Sequence, residues 1–344
     1  MKKSVYIIRW GAFGDHIHMS HVLRIFNQEG WNVSFEYNLK GAQLHYCNPW
    51  IHHHVMYEPP IDEAAMIREG TDRVNLFLRV KQLREQYDRV INLGGSLEDA
   101  MIAPERNSNY FMFKKWRNKR WSDKCYYDQS VDKCGLDKKY HGLTGELYYK
   151  KYEHDRVIDY FNDNYKGKFV FIWCLTGSMM QKQIWGWSKD VIDIFHKRHP
   201  ETVFLLSTAP DLAEKSWENE YTKPLKMPFR QVALMTRYAN AVVTPETGLG
   251  IIAGAYGTPK MMLLTAASLK NIVGNDKNDF SLQSRAWCSP CHRAIYNSET
   301  CQTNKLGLPI CNDFDKDEIL SQLEKMYLAG CCPDRSKKQE MVYM

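Results

Sequence analysis

Short apolar runs alternate with amphipathic stretches through most of the chain. "SVYIIRW", residues 4–10, suits a strand buried on both faces, and "SHVLRIFNQEG" follows with Val22, Leu23 and Phe26 at helical spacing and a Gly30 stop. "WNVSFEYN" restores a strand, "GAQLHYCNPWI" reads as a helix ended at Asn48-Pro49, and "YDRVINLGG" as another buried strand closed by Gly94 and Gly95. This βαβα order predicts a parallel sheet with helices on its faces. Residues 104–140 interrupt the pattern: aliphatic residues are few around the dense "NYFMFKKWRNKRWSDKCYY", which predicts an insertion or long loop.

"KYEHDRVIDYFNDNYKGK" reads as a helix and polar linker, after which the alternation begins again. "FVFIWCLTG" is a strand running into a glycine turn, "SKDVIDIFHKRHP" a helix with Ser188 as its cap, and "TVFLLST" a strand. "FRQVALMTRYAN", "AVVTPE", "TGLGIIAGAYG" and "PKMMLLT" continue as helix, strand, helix and strand, and "DKDEILSQLEKMYLAG" closes with Asp315 as cap and Gly330 as stop. Two α/β domains of Rossmann-like type are expected, at 1–165 and 166–330, with a tail at 331–344. Tandem open sheets would face a cleft at the carboxyl ends of their strands, where ligands of such folds bind.

Composition narrows this picture. A chain of 344 residues can bury a core in each half, and 44% hydrophobic with 25% charged residues is the balance of an ordinary folded chain. No apolar run reaches bilayer length, and Arg9 and Asp15 break the N-terminal run before a signal-peptide core forms. A cytoplasmic location without integral membrane association is therefore expected. The net charge of +6 permits a polyanionic partner such as nucleic acid, a phosphorylated glycan or an anionic surface. Ten cysteines in a cytoplasmic chain would be mostly reduced, so clusters of them suggest a metal before disulfides.

Three glycine turns carry candidate chemistry. "GAFGD", with Gly11, Gly14 and Asp15, lacks both the dinucleotide fingerprint and the P-loop pattern, and places an acid with His16 and His18 where a phosphate cradle would sit. Asp15 there either caps the helix or acts as a general base on an acceptor hydroxyl. "VVTPETGLG" delivers Glu246 to the sheet edge, where it could hold sugar hydroxyls. Thr247, Gly248 and Leu249 open a helix whose amides favour a pyrophosphate. "CLTGSMMQKQ" sets Gly177 and Ser178 at a strand end and Lys182 within reach of phosphate oxygens. Each also has a plain reading as a strand-to-helix turn or a solvated lysine.

Their order and spacing resemble family 9 glycosyltransferases, the ADP-heptose:lipopolysaccharide heptosyltransferase group of GT-B fold. "IIRWGAFGDHIHMSHVLRIF" is similar to that family's first strand, G-x-x-G-D turn and helix. "NPWIHHHV", "YDRVINLGGSLEDAMIA", "LTGSMMQKQIWGWSKDVIDIF", "FRQVALMTRYANAVVTPETGLG" and "GTPKMMLL" follow in the family's order. The resemblance implies two Rossmann-like domains facing a central cleft and sugar transfer from a nucleotide-sugar with inversion at the anomeric carbon. It further implies Asp15 as base, Lys182, Glu246, Thr247 and Gly248 on the donor, and no catalytic metal. His18 would orient the acid or the acceptor. This chain departs from the pattern in having Glu246 where the family usually has Asp, and Ile251 where it has His.

Two further stretches bear on partners. "CSPCHRAIYNSETCQTNKLGLPIC" spaces Cys288, Cys291, Cys301 and Cys311 as C-x2-C-x9-C-x9-C, which suits a structural Zn or Fe held by thiolates; unligated or disulfide-paired cysteines are the alternative. The protein-heptosylating branch of the family resembles this in its four-cysteine iron finger. "FKKWRNKRWSDK" interleaves Lys114, Lys115, Arg117, Lys119, Arg120 and Lys124 with Trp116 and Trp121, a solvated basic face or an acceptor-binding surface. "IHHHV" reads as surface or loop. The acceptor expected from the family is a phosphorylated lipopolysaccharide core. The basic aromatic run admits a hydroxymethylated base in DNA, of phage type, and a third reading is a non-catalytic nucleotide-sugar or nucleic-acid binding protein.

Overall fold

The computed structural model describes residues 3–57, 81–93, 124–207, 217–290 and 301–330. The chain divides into two compact units. The first is built on strands β1 (Ser4–Arg9), β2 (Asn32–Tyr37), β3 (His53–Met56) and β4 (Arg89–Asn92), all parallel in the order β3-β2-β1-β4. Helices α1 (Phe13–Gln28), α2 (Leu39–His45) and α3 (Tyr126–Lys133) accompany it. The unbroken apolar run of β1 has a simple cause, since both faces of the strand are covered. Val5 and Ile7 pack with Met19, Val22, Leu23 and Phe26 of α1, while Tyr6, Ile8 and Trp10 pack on the opposite side with Val55, Tyr87 and Val90. The buried Glu36 of β2 accepts from Tyr6 Oη at 2.5 Å and from Trp10 Nε1 at 3.1 Å, so no charge is left bare there.

The second unit contains α4 (Lys151–Tyr165), β5 (Phe169–Cys174), α5 (Trp185–Arg198), β6 (Thr202–Ser207), β7 (Thr222–Pro224) and α6 (Phe229–Tyr238). It continues with β8 (Ala241–Pro245), α7 (Gly248–Ala255), β9 (Lys260–Leu264), α8 (Leu269–Val273), β10 (Leu282–Gln283) and α9 (Lys316–Gly330). Its strands are parallel in the order β10-β9-β8-β5-β6-β7. Both sheets are therefore wound outward from a central strand, and the chain then crosses back to the other side of it. The winding reverses between β1 and β4 in one unit and between β5 and β8 in the other, which are the positions where open α/β sheets accept ligands.

The expected α/β class with two parallel sheets is what the structure has. Several local expectations are corrected. Ser188 does not cap α5: it lies one turn inside the helix, donating to Ile184 O at 2.6 Å and accepting from Trp173 Nε1 at 3.1 Å. α1 begins at Phe13, so Asp15 is in its first turn; its carboxylate accepts from Ala12 N at 2.8 Å, the acid half of a capping box whose other half Ala12 lacks the side chain to form. The stretch 104–140 is not loop throughout, because α3 falls within it. α4 sits with the second unit, where Glu153 accepts from Arg230 Nε at 2.6 Å and His154 Nδ1 lies 2.6 Å from Tyr238 Oη. Asp315 caps α9 as expected, accepting from Asp317 N and Glu318 N. His52, His53 and His54 are exposed, the latter two on edge strand β3.

Candidate functional site

In the first unit the chemistry gathers where β1 ends beside β4. Arg9 closes β1 with a guanidinium almost wholly buried (5% exposed), and its Nη2 lies 2.9 Å from Oδ1 of Asp15, which is 37% exposed. Nη1 donates to the carbonyl of Leu93, just past β4, so one side chain ties both strands of the switch point to the acid. Ala12 N holds the other carboxylate oxygen. Gly11 makes this approach possible: its φ of 125° suits glycine, and a Cβ there would stand 2.6 Å from Asp15 Oδ2. Gly14 is buried in the first turn of α1.

Arg9, Asp15, His18 and Leu93 line a small recess, completed by Met19 and by Tyr126, Gln129, Ser130 and Lys133 of α3. His18 packs nearly perpendicular to the rings of Tyr126 and Tyr127, with centroids 5.3 and 4.9 Å apart. His16 points elsewhere: its Nε2 is 3.0 Å from Asn38 Oδ1, whose amide in turn donates to Gly11 O. Burial, reinforced by the Arg9 charge, lowers the His16 pKa to about 4, and burial lowers that of His21, the last histidine of α1, to about 3. Both are neutral packing groups at pH 7.

In the second unit the candidate donor residues meet at the β5–β8 switch point. Lys182 Nζ is 3.1 Å from Glu246 Oε1, and each side chain is 7% exposed. Glu246 Oε2 accepts from Ala266 N at 3.2 Å and Ala267 N at 2.8 Å, so the acid fixes the loop that follows β9 as well as the lysine. Gly177 N donates to Lys182 O at 2.6 Å, and a Cβ on Gly177 would meet Lys182 Cβ at 2.7 Å and Thr247 Cγ2 at 3.2 Å. Thr247 is the N-cap of α7, with its hydroxyl 2.6 Å from that of Thr244 rather than on the helix amides. The first amides of α7, from Gly248 and Leu249 onward, are those a helix leaves without internal acceptors. Leu249 itself buries its side chain, Ile251 is buried in the same helix, and Ser178 is exposed. Gly177, Lys182, Glu246, Thr247 and Gly248 are thus brought together as the sequence suggested. Both Glu246 oxygens face protein groups.

The cysteine stretch falls only partly within the described residues. Among the described residues no group of three His, Cys, Asp or Glu side chains is placed to hold a metal. Cys311 is buried in the short turn Ile310–Asn312, and Cys301 Sγ accepts from Gln181 Nε2 at 3.1 Å. Cys288, Cys301 and Cys311 are not in disulfides, and Cys291 lies outside the described residues. Its described part also braces the Lys182 loop, since Asn312 Nδ2 donates to Met180 O at 2.9 Å. Lys114, Lys115, Trp116, Arg117, Lys119, Arg120 and Trp121 likewise lie outside the described residues.

Sequence reasoning passed over Arg9, Leu93, the Ala266–Ala267 amides and the α3 residues. Arg9 did leave a signal, because a cation closing a buried strand two residues before a glycine turn needs a partner nearby. The others are joined to the site only by tertiary packing.

The two-sheet α/β fold is of the GT-B kind, and comparison with solved structures agrees. A family 9 glycosyl transferase from Veillonella parvula superposes with a TM-score of 0.66 at 12% identity, covering 95% of this chain and 97% of that one. The E. coli ADP-heptose LPS heptosyltransferase II gives 0.60 at 11%, covering 96% and 100%. TibC, a dodecameric iron-containing heptosyltransferase of E. coli solved with ADP-D-β-D-heptose, gives 0.58 at 8%, covering 96% of this chain and 77% of its own. At these identities the likeness establishes the fold, which this chain shares with family 9 glycosyltransferases and heptosyltransferases over nearly its whole length. No family model matches the sequence, and no curated protein does. No helix among the described residues is long and apolar enough to cross a membrane.

Proposed function

We propose that the chain is an inverting, nucleotide-sugar-dependent glycosyltransferase that acts on a phosphorylated glycan of the lipopolysaccharide-core kind. The observation that carries this reading is Asp15: an acid in the first turn of α1, held at both oxygens by Arg9 and Ala12, yet open to solvent at the switch point of its sheet. As general base it takes the proton of an acceptor hydroxyl while that oxygen attacks the anomeric carbon of the donor. The bond from that carbon to the diphosphate breaks, and the electron pair leaves with the nucleoside diphosphate.

Lys182 and the first amides of α7 receive the developing charge on the diphosphate, a role for which a helix N-terminus is suited. Glu246 sets Lys182 and the loop at Ala266–Ala267 in place, and with Gly177, Ser178, Thr247 and Leu249 shapes the donor side. The structural neighbours solved with or named for ADP-heptose support this class of donor. The hydroxymethylated-DNA reading rests on residues 114–121, outside those described, and the non-catalytic reading gives no reason for an exposed acid so firmly held.

A thermal-shift panel of ADP-, GDP-, UDP- and CDP-sugars tests the donor assignment. A ligand at about a hundred times its dissociation constant stabilises the chain by about 2.7 kcal/mol. Stabilisation by one nucleotide-sugar, its consumption with a phosphorylated core glycan, and inverted linkage in the product are expected. If no member of the panel stabilises the chain or is consumed, the reading is wrong.

A further inference from the structure

Helix α3 comes from the stretch that breaks the strand–helix alternation, and it walls the recess beside Asp15. Tyr126, Gln129 and Lys133 lie on one face of it, at spacings of three and four residues, and this is the face that lines the recess. The acids of the same helix serve another side. Asp128 accepts from Gly142 N at 2.9 Å, and Asp132 lies 2.9 Å from His141 Nε2. The helix therefore divides its side chains: both carboxylates bond to the following loop, while Tyr126, Gln129 and Lys133 line the recess beside Asp15.

Within the recess Arg9 and Asp15 offset each other as an ion pair at 2.9 Å. Lys133, exposed in the last turn of α3, is a further cation among the described residues of that wall, and a cation there is favoured by the helix dipole. We infer that Lys133, with Gln129 one turn before it, selects the acceptor by binding an anionic ester group carried close to the hydroxyl that Asp15 deprotonates. The ligand class is a sugar phosphate with a neighbouring free hydroxyl, and Lys133 is a specificity-determining residue. This rests on Asp15 being the acceptor-side acid, but the site it names can be tested without transfer.

The probe is glycerol 3-phosphate, a small molecule with a hydroxyl beside a phosphate ester, titrated into the full chain and followed by NMR, with glycerol as the uncharged control. Millimolar binding of the phosphate ester and none of glycerol are expected. Lys133→Met should weaken the ester about tenfold, Lys133→Arg should keep it, and Asp15→Asn should change it less than twofold. Lys133 is exposed, so its replacement leaves the core intact. Equal binding by wild type and Lys133→Met, or no preference for the ester over glycerol, overturns the inference. Lys133-dependent displacement of the probe by a hydroxymethylcytosine oligonucleotide, and not by a phosphorylated core oligosaccharide, overturns the glycan assignment. Failure of Asp15 as base would appear separately, as transfer surviving in Asp15→Asn while Lys133-dependent binding persists.

Discussion

Each unit places an acid in the turn at its switch point and pairs it with a basic side chain, and the two pairs are built in opposite senses. In Arg9–Asp15 the cation is buried and the acid half-exposed, whereas in Lys182–Glu246 both are buried and the acid also holds two backbone amides. A carboxylate whose partner lies beneath it keeps a face for substrate. One with its oxygens turned inward to lysine and amides organises a loop. The same element of topology thus yields a group suited to chemistry in one unit and a keystone in the other.

Removing the keystone should do most harm to stability. Glu246→Ala leaves the Lys182 ammonium buried without its carboxylate, and breaking a buried pair in this way costs about 3–5 kcal/mol. Denaturant unfolding followed in the second unit should show that loss, whereas Asp15→Ala, at a half-exposed acid, should cost much less. Equal losses would erase the contrast between the two pairs.

Acid should act next, and through the first unit. His16 and His21 have folded pKa values of about 4 and about 3, below the unfolded value of 6.5. Below pH 6.5 the unfolded chain binds protons that the folded chain refuses, so stability present at pH 7 is lost as the pH falls toward 4 and then 3. The loss from His16 is at most about 3.5 kcal/mol, since each pKa unit is worth about 1.4 kcal/mol. The second unit has its own buried case in His154, also lowered to about 4 by burial, but away from its candidate site. Urea midpoints of α1 and β2 probes at pH 7.5 and 5.0 should differ more in wild type than in His21→Leu; an unchanged difference would remove these histidines from the account.

A smaller effect should separate the two glycines. Gly11→Ala strains a positive-φ turn and presses on Asp15, costing about 1–3 kcal/mol and lowering the transfer rate. Gly177→Ala crowds Lys182 and Thr247 with no such backbone strain, and should raise the donor KM instead. Steady-state kinetics of the two variants decide this. The exposed pair Lys151–Asp155 at 2.6 Å offers the low end of the scale: Lys151→Ala should shift stability by under about 0.5 kcal/mol.

Much of this was legible in the chain itself. Apolar runs buried on both faces gave away β1, β5, β6, β8 and β9, the alternation of NVSFEY gave away β2, and glycine turns after strands located Asp15, Gly177 and Glu246. β7, β10 and α8 are too short to show a period, and α3 hid in a stretch poor in aliphatic residues. Ser188 looked like a cap because it precedes an apolar pattern, but Trp185–Trp187 already form the first turn of α5. Which oxygens of Glu246 face protein, and which helix walls the Asp15 recess, depend on contacts between residues far apart in sequence, and no local pattern encodes those.

The division of labour between the two acids is tested most directly by Asp15→Asn, assayed for transfer and for nucleoside diphosphate binding on the same preparation. Loss of a general base should lower the transfer rate by about 10²–10⁴-fold, with diphosphate affinity unchanged. Transfer at the wild-type rate, or diphosphate affinity lost together with transfer, would contradict the account.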